Sequence, residues 1–521
     1  MSCFTNPILP GFYPDPSCIR VGDIYYMANS SFQFFPGIPI HKSKDLINWQ
    51  LIGNAINRPS QLDLSTATTK VNNASRGEIF TGGIYAPTIR YHRGVFYIVC
   101  TMLTGTVDMR PDEDFQPSNF IITATDIEDP SSFSDLIYFD FYGIDPSLFF
   151  EDDGRAYVQG SWIHGYRKNP ATVIRQAEID LTTGKLLSEP LDIWGGHTGK
   201  VPEGPHIYKK DGWYYLLIAE GGTHSRHKIT MARSKDIWGP YESFRGNPVL
   251  TAEGSKLTVQ CVGHGDLFED VDGQWWCVML ARREYGESFP LGRETYMTTV
   301  EWPVNGFPSF APVEIEQRSS RVIAKKAVVH GFRAVELSSP LTVYLRSPEL
   351  GKYKQIENEI TLTPTQGDLS APFGTITFVG QRQISLNSIA QTTLAIDASE
   401  TKKVSYGLTV YKDPFRYVVI EYNAQDSILS LKLQKAGKPL VSLSSIVIQD
   451  TASLQLSVTS STETYRFDLV KLQSNGETEG ITLGEVPCSA LSGDDFTGTL
   501  YAVYASGDNV PVVFRDFKIE N

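Results

Sequence analysis

Cysteine is scarce in this chain and poorly placed for chemistry. There are six among 521 residues, at Cys3, Cys18, Cys100, Cys261, Cys277 and Cys488. None forms Cys-x-x-Cys. A zinc site or redox dithiol is therefore not expected, and the thiols read as free and buried. Basic charge is also in deficit. A formal net charge of -13 is opposite to the positive surface that nucleic acid requires, so no nucleic-acid partner is expected. No apolar run reaches the ~20 residues that span a bilayer, so no membrane partner is expected either. Residues 1–20 lack the charged-then-apolar order of a secretory leader. The expected location is cytoplasmic for the sequence as it stands, or secreted if a leader has been removed. Gly-x-Ser-x-Gly, the phosphate-binding loop and the dinucleotide fingerprint are absent, which disfavours serine-hydrolase and nucleotide chemistry.

Long helical periodicities are nearly absent, and short Val, Ile, Tyr, Phe and Trp runs alternate with Gly, Asp, Asn and Pro turns. That pattern reads as all-β. Within it lies a weak internal repeat. Its copies begin at Asp15-Pro16-Ser17, Ala86-Pro87-Thr88, Asp145-Pro146-Ser147, Gly204-Pro205-His206 and His264-Gly265-Asp266. Each runs through a tight turn, at Gly22-Asp23, Arg93-Gly94, Asp153-Gly154, Asp211-Gly212 and Asp272-Gly273, into an aromatic strand. A strand, a turn of this kind and a second strand make a β-hairpin. Copies recur every ~60–70 residues, room for one four-stranded blade each, so a five-bladed β-propeller is expected.

The expected domains are a propeller over 1–316, a polar and basic linker over 317–340, and a β-sandwich over 341–521. The sandwich reading rests on alternation such as Ser453-Leu454-Gln455-Leu456-Ser457-Val458. The first strand of a propeller blade lines the central axis. Asp15, Ala86, Asp145, Glu203 and His264 should therefore converge at one mouth of the funnel. Three acids and a histidine on one axis are costly unless they are solvated, paired or used. Acids carried on different blades can flank a sugar, and inverting glycoside hydrolysis needs two carboxyl groups about 6.5–9.5 Å apart with a water between.

The chain resembles glycoside hydrolase family 43, of the β-xylosidase/α-L-arabinofuranosidase type with a C-terminal β-sandwich. The resemblance is carried by Asn6 through Ser17, by Phe35-Pro36-Gly37-Ile38-Pro39-Ile40-His41, by Pro202-Glu203-Gly204-Pro205-His206 with Ala219-Glu220-Gly221-Gly222-Thr223, and by Leu291-Gly292-Arg293-Glu294-Thr295. It implies an inverting, exo-acting hydrolase that releases terminal β-D-xylose or α-L-arabinofuranose from xylo-oligosaccharides or arabinoxylan. By the same resemblance Asp15 is the general base, Glu203 the general acid, and Asp145 the residue that keeps Glu203 protonated and oriented. Arg293 and His264 flank the sugar, with Phe32, Tyr85 and Phe496 lining the pocket. No cofactor is expected and no metal is assigned, although the matching histidine organises water or calcium in some relatives.

One position departs from the family pattern. Relatives often carry Trp where this chain has Tyr85, within Gly82-Gly83-Ile84-Tyr85-Ala86-Pro87. That leaves the choice between the two pentoses open. Closure of the funnel by the loops around 61–80 and 105–117 would make the site an exo-acting pocket. An open groove would suit an endo-arabinanase-like hydrolase. A non-catalytic carbohydrate-binding propeller would have no need of acids on three blades.

Overall fold

The computed structural model describes residues 2–72, 78–105, 115–165, 168–319, 331–396, 402–449, 451–473 and 478–521. Each of the five repeats forms the inner hairpin of an antiparallel blade, as expected; three blades have four strands, and blades two and four each add a two-residue fifth, Gly83–Ile84 and Leu250–Thr251. The inner strands are Ser17–Val21, Thr88–His92, Gly143–Phe150, Glu203–Lys210 and Val259–Glu269. Their hairpin turns each place a glycine in the left-handed region, with φ from 64° to 95° at Gly22, Gly94, Gly154, Gly212 and Gly273. A side chain there would be strained, which is why the turn glycine recurs in every copy.

Midway down the axis, the inner strands join through one buried polar ring. Asp266 of the fifth blade accepts hydrogen bonds from Ser17 (2.6 Å), Arg90 (2.8 Å) and Tyr208 (2.6 Å). Arg90 also reaches His206 Nδ1 at 2.8 Å, and that nitrogen lies 3.0 Å from the Ser147 hydroxyl. All five blades thus contribute to one network. Burial raises the Asp266 carboxyl, but Arg90, His206 and the Ser17 hydrogen bond outweigh it and hold it at about 2. Asp266 is therefore a fixed anion, and Arg90 is its counter-ion.

The strand Glu316–Ser319 pairs with Ser2–Thr5, so chain from the two ends of the propeller meets. Within 317–340, read from the sequence as a linker, Arg333–Ala334 already joins a sandwich sheet by pairing with Val512–Glu520. Residues 320–330 lie outside the described residues. The sandwich stacks two eight-stranded sheets. Its inner faces follow the expected alternation: Ser388–Ala395 is buried at every second position, and Leu454, Leu456 and Val458 are fully buried.

One of these sheets does not end inside the sandwich. Its last strand is Phe34–Phe35 of the propeller, paired with Val343–Leu345. The next residue, Arg346, is fully buried, and its guanidinium donates to the carbonyls of Ala67, Ala371 and Gly374 at 3.3, 2.7 and 3.3 Å. Propeller and sandwich therefore share a hydrogen-bonded sheet beside Phe32. The cysteines are all unpaired, but Cys3 is exposed, which corrects the reading of every thiol as buried. It lies on the terminal strand Ser2–Thr5, where the sheet ends. Among the described residues, no helix is long and apolar enough to cross a membrane.

Asp266→Asn should destabilise the propeller by about 3 kcal/mol, the low end for a broken buried pair, because it leaves the mostly buried guanidinium of Arg90 without its counter-ion. Urea unfolding followed by tryptophan fluorescence checks this. A change below about 1 kcal/mol, the scale of an exposed ion pair, would show that the ring is not what joins the blades.

Candidate active site

The inner strands reach the upper mouth of the funnel with an unusual backbone. Asp15, Asp145, Gly204 and His264 occupy matching positions on four blades, and all four are left-handed, with φ of 53°, 54°, 57° and 48°. The strands of blades three, four and five also lose register beside these residues, between Ile144 and Ser147, between Glu203 and His206, and between Gly263 and Gly265. Such irregularities re-aim side chains, and non-glycine residues at positive φ carry strain that functional sites commonly retain. Blade four needs glycine at this position for a second reason. A Cβ on Gly204 would lie 2.8 Å from the His264 ring. The fourth blade therefore presents its carboxyl one residue earlier, from Glu203.

The three acids share the mouth but not the same surroundings. Asp15 is 4% exposed. It accepts a hydrogen bond from Ser30 at 2.5 Å and lies 3.5 Å from both Arg293 Nη1 and His264 Nδ1. Burial raises its carboxyl, but Arg293, His264 and the Ser30 hydroxyl outweigh burial and hold it below the usual carboxylate range. Asp145 accepts the Gly204 N–H at 3.1 Å. Burial and the charge on Asp15 raise it to about 6, against the opposing pull of His264, Gly204 and Arg293. Glu203 is driven well above the usual range, first by burial and then by the charges on Asp145 and Asp15. One carboxyl is thus pushed toward its ionised form and another toward its protonated form. That arrangement can take a proton from water on one side of a bound molecule and give one on the other.

Aromatic rings wall the mouth. Phe32 stacks on Phe496 with centroids 5.5 Å apart, and Tyr85 packs against both, at 5.0 and 5.9 Å. Arg293 lies over the faces of Phe32 and Phe496, at 5.6 and 5.1 Å, and donates to the Phe496 carbonyl. All eight residues expected from the sequence therefore come together at one end of the propeller. Phe80 adds an edge contact to Phe496 at 5.4 Å. It belongs to a hairpin, Thr69–Asn72 with Glu78–Thr81, within the loop expected to close the funnel. Residues 73–77 of that loop and 106–114 of the other expected loop lie outside the described residues.

The sequence reading passed over several supports. Ser30 orients Asp15, and Thr223 holds Arg293 at 2.7 Å. Glu220 accepts from the N–H groups of His197, Thr198 and Gly199 and from the hydroxyls of Thr198 and Thr230, at 2.6–3.0 Å. It thereby fixes the loop that leads into Glu203. Glu220 and Thr223 stand within the quoted Ala219–Thr223 segment, so a signal for them existed.

The sandwich holds its contribution with a buried ion cluster. Asp495 pairs with Arg416 and with Lys412 (3.2 Å), Arg416 also pairs with Asp413 (2.5 Å), and all four side chains are buried. Asp495 additionally accepts the Thr497 N–H at 3.1 Å, which closes a turn around Phe496. No sequence pattern marked this cluster, because its members come from two segments some 80 residues apart.

Residues 4–308 match the family model "Glycosyl hydrolases family 43", and residues 342–520 match "Beta xylosidase C-terminal Concanavalin A-like domain". The chain belongs to glycosyl hydrolases family 43. It is 43% identical to a xylosidase/arabinosidase of Butyrivibrio fibrisolvens over 59% of its own length and 56% of that protein's, so it spans about half of that relative. It is 31% identical to a non-reducing end alpha-L-arabinofuranosidase of Bacteroides ovatus over 97% of its length and 92% of the relative's. Among solved structures, it is similar to a xylan beta-1,4-xylosidase of Bacillus halodurans, with a TM-score of 0.88 and 30% identity over 99% of this chain and 100% of the other.

Phe496→Ala should raise KM for a terminal glycoside about tenfold, the equivalent of an aromatic contact worth roughly 1–1.5 kcal/mol. Asp495→Asn should reproduce most of that rise by loosening the turn, with kcat little changed. Steady-state kinetics check both, and an unchanged KM in both variants would remove the sandwich from the pocket wall.

Proposed function

We propose that this chain is an inverting, exo-acting glycoside hydrolase that releases terminal β-D-xylose, α-L-arabinofuranose or both from xylo-oligosaccharides or arabinoxylan. The observation that carries the reading is the opposed surroundings of Asp15 and Glu203 at one mouth, two basic groups 3.5 Å from the first and two other carboxyls near the second. Asp15, kept ionised by Arg293 and His264, takes a proton from a water that attacks the anomeric carbon. Glu203, kept protonated by burial and by Asp145, gives its proton to the glycosidic oxygen as the C–O bond breaks. The attack comes from the face opposite the leaving group, so the anomeric configuration inverts.

Arg293 serves two ends in this mechanism. It holds the charge on Asp15 and offers N–H donors to sugar hydroxyls. The Phe32–Tyr85–Phe496 wall, with Phe80 at its edge, suits a pocket that admits the end of a chain. An endo-acting hydrolase would need an open groove. The names of the relatives, which pair xylosidase with arabinosidase, support a pentose as the glycone. Tyr85 is the residue proposed to bias the choice between the two pentoses.

Two measurements test this. Glu203→Ala should lower turnover of an unactivated xylo-disaccharide by about 10²–10⁴-fold, and should affect an aryl glycoside with an acidic leaving group far less, since general acid catalysis is worth about that factor. Unchanged hydrolysis of both would sink the assignment. Separately, proton NMR of the first-formed pentose should show the inverted anomer. Retention would contradict attack by water.

A further inference from the structure

His227 is a titratable side chain beside Glu203 for which the proposed mechanism has no use. It is 1% exposed and immediately precedes the third strand of blade four, Lys228–Ser234. Its Nδ1 lies 3.2 Å from the carbonyl of Cys261, an atom that can only accept, so Nδ1 carries the hydrogen and Nε2 carries a lone pair. The nearest carboxyl oxygen is that of Glu203, with Oε1 3.8 Å from Nε2. Nε2 is buried and has no hydrogen-bond partner among the described residues. The ring cannot turn away easily. It rests against Gly263, where even a Cβ would fall 2.4 Å from Nδ1.

We propose that His227 is a positioning residue for the acid, its Nε2 being the resting acceptor for the O–H that Glu203 later delivers to the leaving oxygen. The inference rests on Glu203 being the acid. A buried acceptor with no partner is costly, and a protonated carboxyl closing on it by under an ångström removes that cost. The match requires a neutral imidazole facing a neutral acid. Burial, with His264 and Arg293 nearby, lowers His227 to about 3, while burial and the charges on Asp145 and Asp15, against Arg293, raise Glu203. Both shifts favour leaving the proton on Glu203. When a sugar binds, the O–H turns from Nε2 to the glycosidic oxygen, and the proton passes to that oxygen as the C–O bond breaks. Glu203 is left as a carboxylate until solvent restores the proton, and the O–H then returns to Nε2. A hydrogen bond to the neutral form of an acid raises its pKa, so His227 also extends activity toward alkaline pH.

The test compares His227→Asn with His227→Gln. The Asn amide can keep the contact with Cys261 but places nothing at Nε2, whereas the Gln amide oxygen reaches that position. For His227→Asn, kcat/KM on the xylo-disaccharide should fall about tenfold, with little change on the aryl glycoside that needs no acid, and the alkaline limb of the disaccharide profile should move about one unit toward lower pH. His227→Gln should recover most of both effects. Equal losses on the two substrates, or an alkaline limb that does not move, would overturn the proposal and leave His227 a packing residue. If the Asn variant fails to fold, His227→Phe, which also lacks an acceptor, carries the same expectations. Glu203→Ala in the same assay separates the two ideas: if it is insensitive to the leaving group, the acid assignment fails, whatever His227 does.

Discussion

The contact of Asp15 with Arg293 and His264 is the constraint on which the rest of the site depends. A carboxyl 4% exposed would ordinarily be neutral. Two basic groups, each 3.5 Å away, keep it charged. Once that charge is present, the other carboxyls on the axis cannot ionise freely. Asp145 is raised in part by Asp15, and Glu203 by both. The division of labour proposed here, with one base and one acid, follows from where the two basic groups stand rather than from any difference between aspartate and glutamate.

Backbone geometry makes the convergence possible. Four blades place a left-handed residue at the same height, and three of them break register there. A regular strand would send alternate side chains to opposite faces of the blade. The irregularity turns these side chains toward the axis instead. The strain is held because the inner strands are tied together a few residues further down by the ring around Asp266 and Arg90. His264 and Gly204 show how closely the positions are coupled, since the imidazole takes the space that a side chain at position 204 would need.

The sandwich is part of the same construction. Its sheet runs on into Phe34–Phe35, two residues from Phe32, and its Asp495–Arg416–Lys412–Asp413 cluster secures the turn that carries Phe496. The stacked pair of Phe32 and Phe496 therefore has one ring from each domain, each fixed by its own domain's framework. Burial draws Lys412 down to about 8, even with Asp495 and Asp413 beside it, a measure of how little water reaches this support.

Much of this was legible in the chain itself. Hairpin signals five times over, each with a glycine that the turn requires, were enough to specify the propeller. The spacing of those signals was enough to bring Asp15, Asp145, Glu203 and His264 to one mouth, because the repeat is a local pattern and closure of a propeller is a geometric consequence of it. The charge state of each acid was not legible. It depends on which side chains from other blades stand within a few ångströms, and Arg293, His264 and Ser30 are brought to Asp15 only by the fold. His227 lay hidden for the same reason. Nothing around it in sequence marks it, and its significance lies in a nitrogen that has no hydrogen-bond partner among the described residues and stands 3.8 Å from Glu203. The alternation of apolar residues and the turn chemistry determined the scaffold, since both act over neighbouring residues. Protonation and side-chain orientation were decided only in the tertiary structure, since burial and Coulomb forces act through space between segments that the sequence keeps far apart.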